Sequence, residues 1–175
     1  NKVTVINTAK LKGVNIINSG QLSGTNVKLT ALSLTNSDTI LAEGIINAGN
    51  TILNNTGYIG SNQKIVLSGS NVSNQGSMES NIIEMYNLAG YNNNGGSIKG
   101  TGVYITTLGN IDLRGTLHGE NDLRVNAYDI WHNDIITGKG YIELKGHDIT
   151  NNMELASGSI VVQGSGNVIN NSIIT

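Results

Sequence analysis

The chain has 175 residues, 10 Lys and Arg against 12 Asp and Glu, neither Cys nor Pro, and a formal net charge of −2. That balance offers no electrostatic footprint for nucleic acid or an anionic membrane. The absence of Cys excludes a disulfide framework and any thiolate metal ligand or nucleophile, and no apolar run approaches the ~18 residues of a membrane helix.

From the amino terminus, Val3, Val5, Leu11 and Ile16 form the least regular stretch, with Leu11 out of phase with the later repeats. From Leu22 onward two apolar columns run in step. One is Leu22, Leu41, Ile59, Met78, Ile98, Leu117, Ile136, Leu155 and Ile174; the other is Leu34, Leu53, Val72, Tyr91, Ile111, Ile130, Ile149 and Val168. Between them recur apolar-x-apolar pairs such as Ile65/Leu67, Leu123/Val125 and Ile142/Leu144. Alternation with period two is a strand signal, and a unit of about 19 residues is too short for a helical repeat. The pattern predicts an all-β parallel β-helix of about nine laps, with three short strands per lap. At about 4.8 Å per lap the rod is roughly 43 Å long. Laps touch only their neighbours, so residues 1–175 form one solenoid segment. Asn1 falls inside the repeat and no leader precedes it, as expected of an interior piece of a longer repetitive chain.

The 27 Asn and 23 Gly supply corner chemistry in every lap, since both tolerate positive φ and Asn caps local backbone. A Pro-free chain keeps nearly every backbone N–H available to a ladder. Small residues at Gly24, Ser61, Ser80, Gly100, Gly119, Gly138 and Ser157 mark one corner, with Glu43 as the exception. The lap that starts at Met78 carries an extra residue, expected to bulge within the polar run Tyr91 to Gly96. Two positions beyond the Leu34 column stand Asn36, Asn55, Asn74, Asn93, Asn151 and Asn170, with Leu113 and His132 interrupting. Alternation points them inward, where stacked amides can bond to one another along the axis. These six form a predicted structural ladder.

Chemistry concentrates in residues 112–154, which hold all three His, the single Trp and eight of the twelve acids. Asp129 and Asp148 lie one lap apart on the outer face. Three readings are open for them: an acid/base pair of glycosidase type, part of a Ca²⁺ site, or Asx corner residues equivalent to Asn71, Asn110 and Asn167. The Asn at equivalent positions favour the third, so no metal is assigned. Trp131, with Tyr128 and Asp112 nearby, is the candidate ligand surface, on which a sugar ring could stack. His118, His132 and His147 fall at different points of the lap and do not form a three-His zinc site. No catalytic residue and no cofactor is predicted, and no nucleophile elbow, phosphate loop or calcium-binding repeat is present.

The units Asn55-Thr56-Gly57-Tyr58-Ile59 and Asn74-Gln75-Gly76-Ser77-Met78, each followed by a Gly/Ser/Asn-rich turn and an apolar-x-apolar pair, resemble the shaft repeats of filamentous haemagglutinin-like exoproteins. These are the large proteins of two-partner secretion, adhesins and contact-dependent inhibition toxins among them. The resemblance implies a right-handed β-helix, export through an outer-membrane transporter, and a secreted or cell-surface location. It further implies contact with a surface receptor or glycan through the parent protein, without membrane insertion. The family's amino-terminal secretion domain carries Asn-Pro motifs, so a Pro-free chain corresponds to the shaft. The expected function is a non-enzymatic, stiff segment that holds an adhesive or toxin module away from the cell. The alternative is a carbohydrate-binding or carbohydrate-active β-helix with its site near Trp131 and Asp129/Asp148.

Overall fold

The computed structural model describes the backbone of residues 2–175, and the side chains of these except residues 2, 50, 51, 87, 88, 92 and 93. Every element among them is a β-strand, and the strands join in one 17-stranded parallel sheet wound into a solenoid of about nine laps with ~19-residue spacing. No helix among the described residues is long and apolar enough to cross a membrane.

A lap reads most clearly near the carboxyl end. Ile130–His132, Ile136–Gly138 and Tyr141–Gly146 form its three strands, and each pairs in parallel with its counterpart in Ile149–Asn151, Leu155–Ala156 and Ser159–Gly164. Earlier laps differ from the predicted three short strands. Gln21–Asn36, Gly90–Thr107 and Ile111–Asn126 each carry all three faces in one uninterrupted strand. The cause lies in the corners. At the bend after Gly100 and Gly119 the pairing shifts register but resumes at Gly102 and Asp122, so the strand runs on through the corner.

The interior is a stack of like side chains. Tyr91 lies under Ile111, Ile111 under Ile130 and Ile130 under Ile149. Leu117 lies under Ile136, while Leu123 and Val125 lie under Ile142 and Leu144. All of these are buried. Fully burying one such side chain is worth about 1.5–3 kcal/mol relative to leaving it exposed, so the repeated column provides the main drive for each lap to dock on the last.

Two predicted column members are wrong, and by a single slip. Leu22 pairs with Ile40 and Gly24 with Ala42, so Leu41 and Glu43 are not in their columns. Leu41 points outward with 38% of its surface exposed, whereas Ile40 and Ala42 are buried. The step from Leu22 is one residue short of the usual lap, and a shift of one residue turns each side chain to the opposite face. Because Ile40 and Leu41 are both apolar, hydropathy alone does not choose between them. The small-residue corner therefore has no exception there. In the first lap a register shift between Val5 and Thr8 brings Leu11 into line with Leu29, which explains its phase.

The extra residue in the Met78 lap is Gly95. Arg114 pairs with Asn94 and Gly115 with Gly96, which leaves Gly95 outside the register at φ +83°. It lies within the polar run where the bulge is expected.

The amide ladder runs down the interior of the same corner. Asn36 Nδ2 donates to Asn55 Oδ1 at 2.8 Å, and Asn55 Nδ2 donates to Asn74 Oδ1 at 2.8 Å. Asn151 Nδ2 donates to Asn170 Oδ1 at 2.7 Å. The same amides also donate to corner carbonyls, as Asn36 does to Asp38 O at 3.0 Å and Asn170 to Ser172 O at 2.7 Å. A buried amide left without partners would cost several kcal/mol, so these bonds are what make the polar column tolerable. Asn18, absent from the predicted set, extends the ladder by donating to Asn36 Oδ1 at 2.7 Å. The predicted member Asn93 lies outside the described side chains.

Leu113 occupies its ladder position as a buried apolar side chain, and His132 replaces Asn in the next lap by donating from Nδ1 to Asn151 Oδ1. Burial holds the His132 imidazole below its ordinary value of 6.5, outweighing the opposite pull of the bond to Asn151. The unfolded chain therefore takes up a proton at a pH where the folded chain does not. Stability rises with pH between the depressed native value and 6.5, and falls as pH drops through that window. Urea melts at about pH 7.5 and about pH 5.5 are expected to show the loss, and His132→Asn to flatten it. A slope that persists unchanged in His132→Asn would assign the titration to another group.

Candidate functional site

Three outward features emerge from the winding. The first is a corner where two adjacent columns cross from one strand to the next. One column is Gly109, Tyr128, His147 and Gly166, linked lap to lap by backbone bonds that include Tyr128 N–H to Gly109 O at 3.0 Å and Gly166 N–H to His147 O at 2.8 Å. The other is Asn110, Asp129, Asp148 and Asn167. Asp129 Oδ1 accepts the Asp148 backbone N–H at 3.1 Å, and Asp148 Oδ1 accepts that of Asn167 at 2.7 Å. Both carboxylates thus do for the lap above what an Asn side chain does at a corner, in keeping with the Asx reading. His147 Nδ1 sits between them, 3.4 Å from Asp129 Oδ1 and 3.5 Å from Asp148 Oδ1. The Tyr128 ring stacks on the imidazole with centroids 5.1 Å apart and planes 10° from parallel.

The second feature is a shallow groove of about 360 Å³ lined by Asn71, Asn110, Asp112 and Trp131, with Tyr91 below. Trp131 presents 39% of its surface there. Asp112 is held by Arg114 Nε at 2.7 Å and by Asn133 Nδ2 at 2.8 Å. Asn133 starts an outer amide ladder, accepting from Asn152 at 2.7 Å, which accepts in turn from Asn171 at 2.8 Å. The predicted ligand surface therefore divides. Trp131 and Asp112 share the groove, whereas Tyr128 packs on His147 at the corner.

The third feature is a groove of about 550 Å³ along the small-residue corner at Ser61, Ser80 and Gly100, lined also by Leu41, Tyr58, Glu79, Lys99, His118 and Glu120. Sequence reasoning missed it. Tyr58, Glu79, Lys99 and His118 each stand one place from the buried Ile59/Met78/Ile98/Leu117 column, so reading the outward neighbours of that column would have found it. Its floor is electrostatically settled. Lys139 Nζ lies 2.6 Å from Glu120 Oε1 and His118 Nε2 lies 3.1 Å from Glu120 Oε2; Lys139 and then His118 hold that carboxyl below its ordinary range.

His147 is the other residue that sequence reasoning passed over. Judged only against the other two histidines it has no partner, but it stands one lap above Tyr128 and beside both aspartates. The triad Asp129, His147 and Asp148 is a set of side chains able to offer donor atoms to one metal, with these atoms all within 4.8 Å of one another.

The fold and these surfaces define the class of the protein as a parallel β-solenoid. No protein-family model, no curated protein and no solved structure matches the chain.

Proposed function

We propose that this chain is a non-enzymatic structural shaft segment of a secreted bacterial surface exoprotein of the filamentous haemagglutinin-like kind, holding an adhesive or toxin module away from the cell. The observation that carries the reading is the continuity of the ladder. From Gln21 to Asn170 every lap pairs with the next through the same three faces, and the interior is filled by stacked apolar and amide side chains. A rod of this build transmits load along its axis through backbone bonds. Its corners are short, and no long loop rises over either groove among the described residues. A carbohydrate-active β-helix requires carboxylates converging on a substrate groove, whereas Asp129 and Asp148 line neither of the grooves described above. An outer-membrane transporter as export partner, and a receptor or glycan met through the parent protein, belong to the same proposal.

Antibodies raised against the purified chain are expected to label intact cells of the source organism. The chain itself is expected to release no reducing sugar from a polysaccharide panel. Labelling only after permeabilisation would overturn the surface location, and sugar release would replace the shaft reading with the enzymatic one. The exposed face of Trp131 favours a glycan-contact alternative, which quenching of its fluorescence by a glycan panel would support.

A further inference from the structure

We propose that Asp129, His147 and Asp148 form a binding site for a divalent transition-metal ion of the zinc class, assembled across two successive laps. The site does not depend on the shaft reading. Its first support is placement. In the column Gly109, Tyr128, His147, Gly166 and the neighbouring column Asn110, Asp129, Asp148, Asn167, only the two middle laps carry ionisable groups. The laps above and below present Gly and Asn at the same points. Asn occupies this corner in the laps on either side, so the corner forms there without the charge of a carboxylate or an imidazole.

Geometry is the second support. The imidazole Nδ1 lies 3.4 Å from one carboxylate oxygen and 3.5 Å from the other. A charge-assisted hydrogen bond draws such atoms to about 2.7–2.9 Å. Ligands at about 2.0–2.1 Å around a tetrahedral zinc instead stand about 3.3 Å from each other. These separations match edges of that polyhedron better than they match a hydrogen-bonded ion pair. The three donor atoms all lie within 4.8 Å of one another, so a modest closure of the side chains would bring each to the distance of about 2.0–2.1 Å that a zinc ion requires.

The surroundings fix the donors and leave the site open. Asp129 Oδ1 accepts one backbone N–H, and Asp148 Oδ1 accepts both the backbone N–H and the side-chain amide of Asn167, which holds the two carboxylates in place. The stacked Tyr128 ring sets the plane of the imidazole. Gly166 stands over the outer side, where a Cβ would fall 2.4 Å from Asp148 Oδ1 and 3.0 Å from His147 Nε2. Any larger residue at that position would close the site. Donor chemistry selects the ion. Calcium takes six to eight oxygens and magnesium a near-octahedral oxygen shell, whereas one imidazole with two carboxylates suits zinc, cobalt or nickel. Three protein donors leave at least one coordination position to solvent.

The test is calorimetric titration of Zn²⁺ into the chelator-treated chain, paired with visible absorption of the Co²⁺ form. The expected result is one bound equivalent, a low-coordinate Co²⁺ spectrum, and binding weakened about tenfold or more in His147→Gln and in Asp129→Asn. Asp129→Asn retains the Oδ1 acceptor, as Asn110 and Asn167 do, so circular dichroism should be unchanged and the loss attributable to the site. His118→Gln should bind as wild type, and Ca²⁺ should not compete. No binding above that of His147→Gln, binding lost in His118→Gln, or equal competition by Ca²⁺ would each overturn the assignment.

Discussion

Ile130→Asp is expected to abolish the native β-sheet spectrum of this chain. Ile130 is fully buried between Ile111 below and Ile149 above, so the introduced carboxylate would lie between two aliphatic side chains and out of reach of water. Burying an unpaired charge there costs several kcal/mol even if the group protonates to avoid it, and the lost packing of the isoleucine adds to that. Domains of this size are stable by about 5–15 kcal/mol in total. Because laps are stabilised by their nearest neighbours, the break should propagate from its own lap in both directions. Far-UV circular dichroism and thermal melting read the global loss, and Trp131, the adjacent residue, reports locally through a red-shifted emission. Unchanged spectra and melting would mean that Ile130 does not face the interior.

The second large effect is expected from Gly76→Ala. A Cβ on Gly76 would lie 2.0 Å from the Gly57 carbonyl oxygen and 2.8 Å from the Gly57 nitrogen, both backbone atoms of the lap beneath. Neither can swing aside as a side-chain tip could, so the corner must lift and the ladder on either side must lengthen. A loss of about 2–4 kcal/mol is expected, seen as a lower urea midpoint with the slope unchanged. Gly95→Ala separates space from backbone conformation. At Gly95 nothing lies within 4 Å of a Cβ, but φ is +83°, so only the left-handed conformation is penalised, by about 1 kcal/mol. Equal losses at the two positions would show that close approach is not what requires glycine at 76.

These corners show where reading the chain succeeds and where it stops. The Ile111, Ile130 and Ile149 column was legible because stacking places like residues over like, and a buried aliphatic column leaves a period that local composition does not blur. The Asn ladder was legible for the same reason, with an amide at the same phase in lap after lap. Failure came where the period itself changed. At Ile40 and Leu41 two adjacent apolar residues offered two registers of equal hydropathy, and only the pairing of the backbone distinguished them. Asn18 was overlooked because its lap is shortened by the same irregularity that shifts Val5 against Thr8.

The candidate metal site was half legible. Asp129 and Asp148 could be placed one above the other from their spacing alone. The approach of His147 to both could not be, since it depends on how the chain turns between residues 146 and 149 and on which way the Tyr128 ring leans. Similarly, Trp131 and Tyr128 are three apart in the chain and looked like one surface, but a bend between them sends each into a different groove or corner.

The sequence by itself determined the all-β class, the lap length, the inward columns and the polar spine, because each is a periodic property that every lap restates. Only the tertiary structure decided which corner residues meet, how deep the grooves run, and which carboxylates face a base. Those depend on turn geometry, where a single inserted or missing residue rotates a side chain from core to solvent and no repetition exists to reveal it.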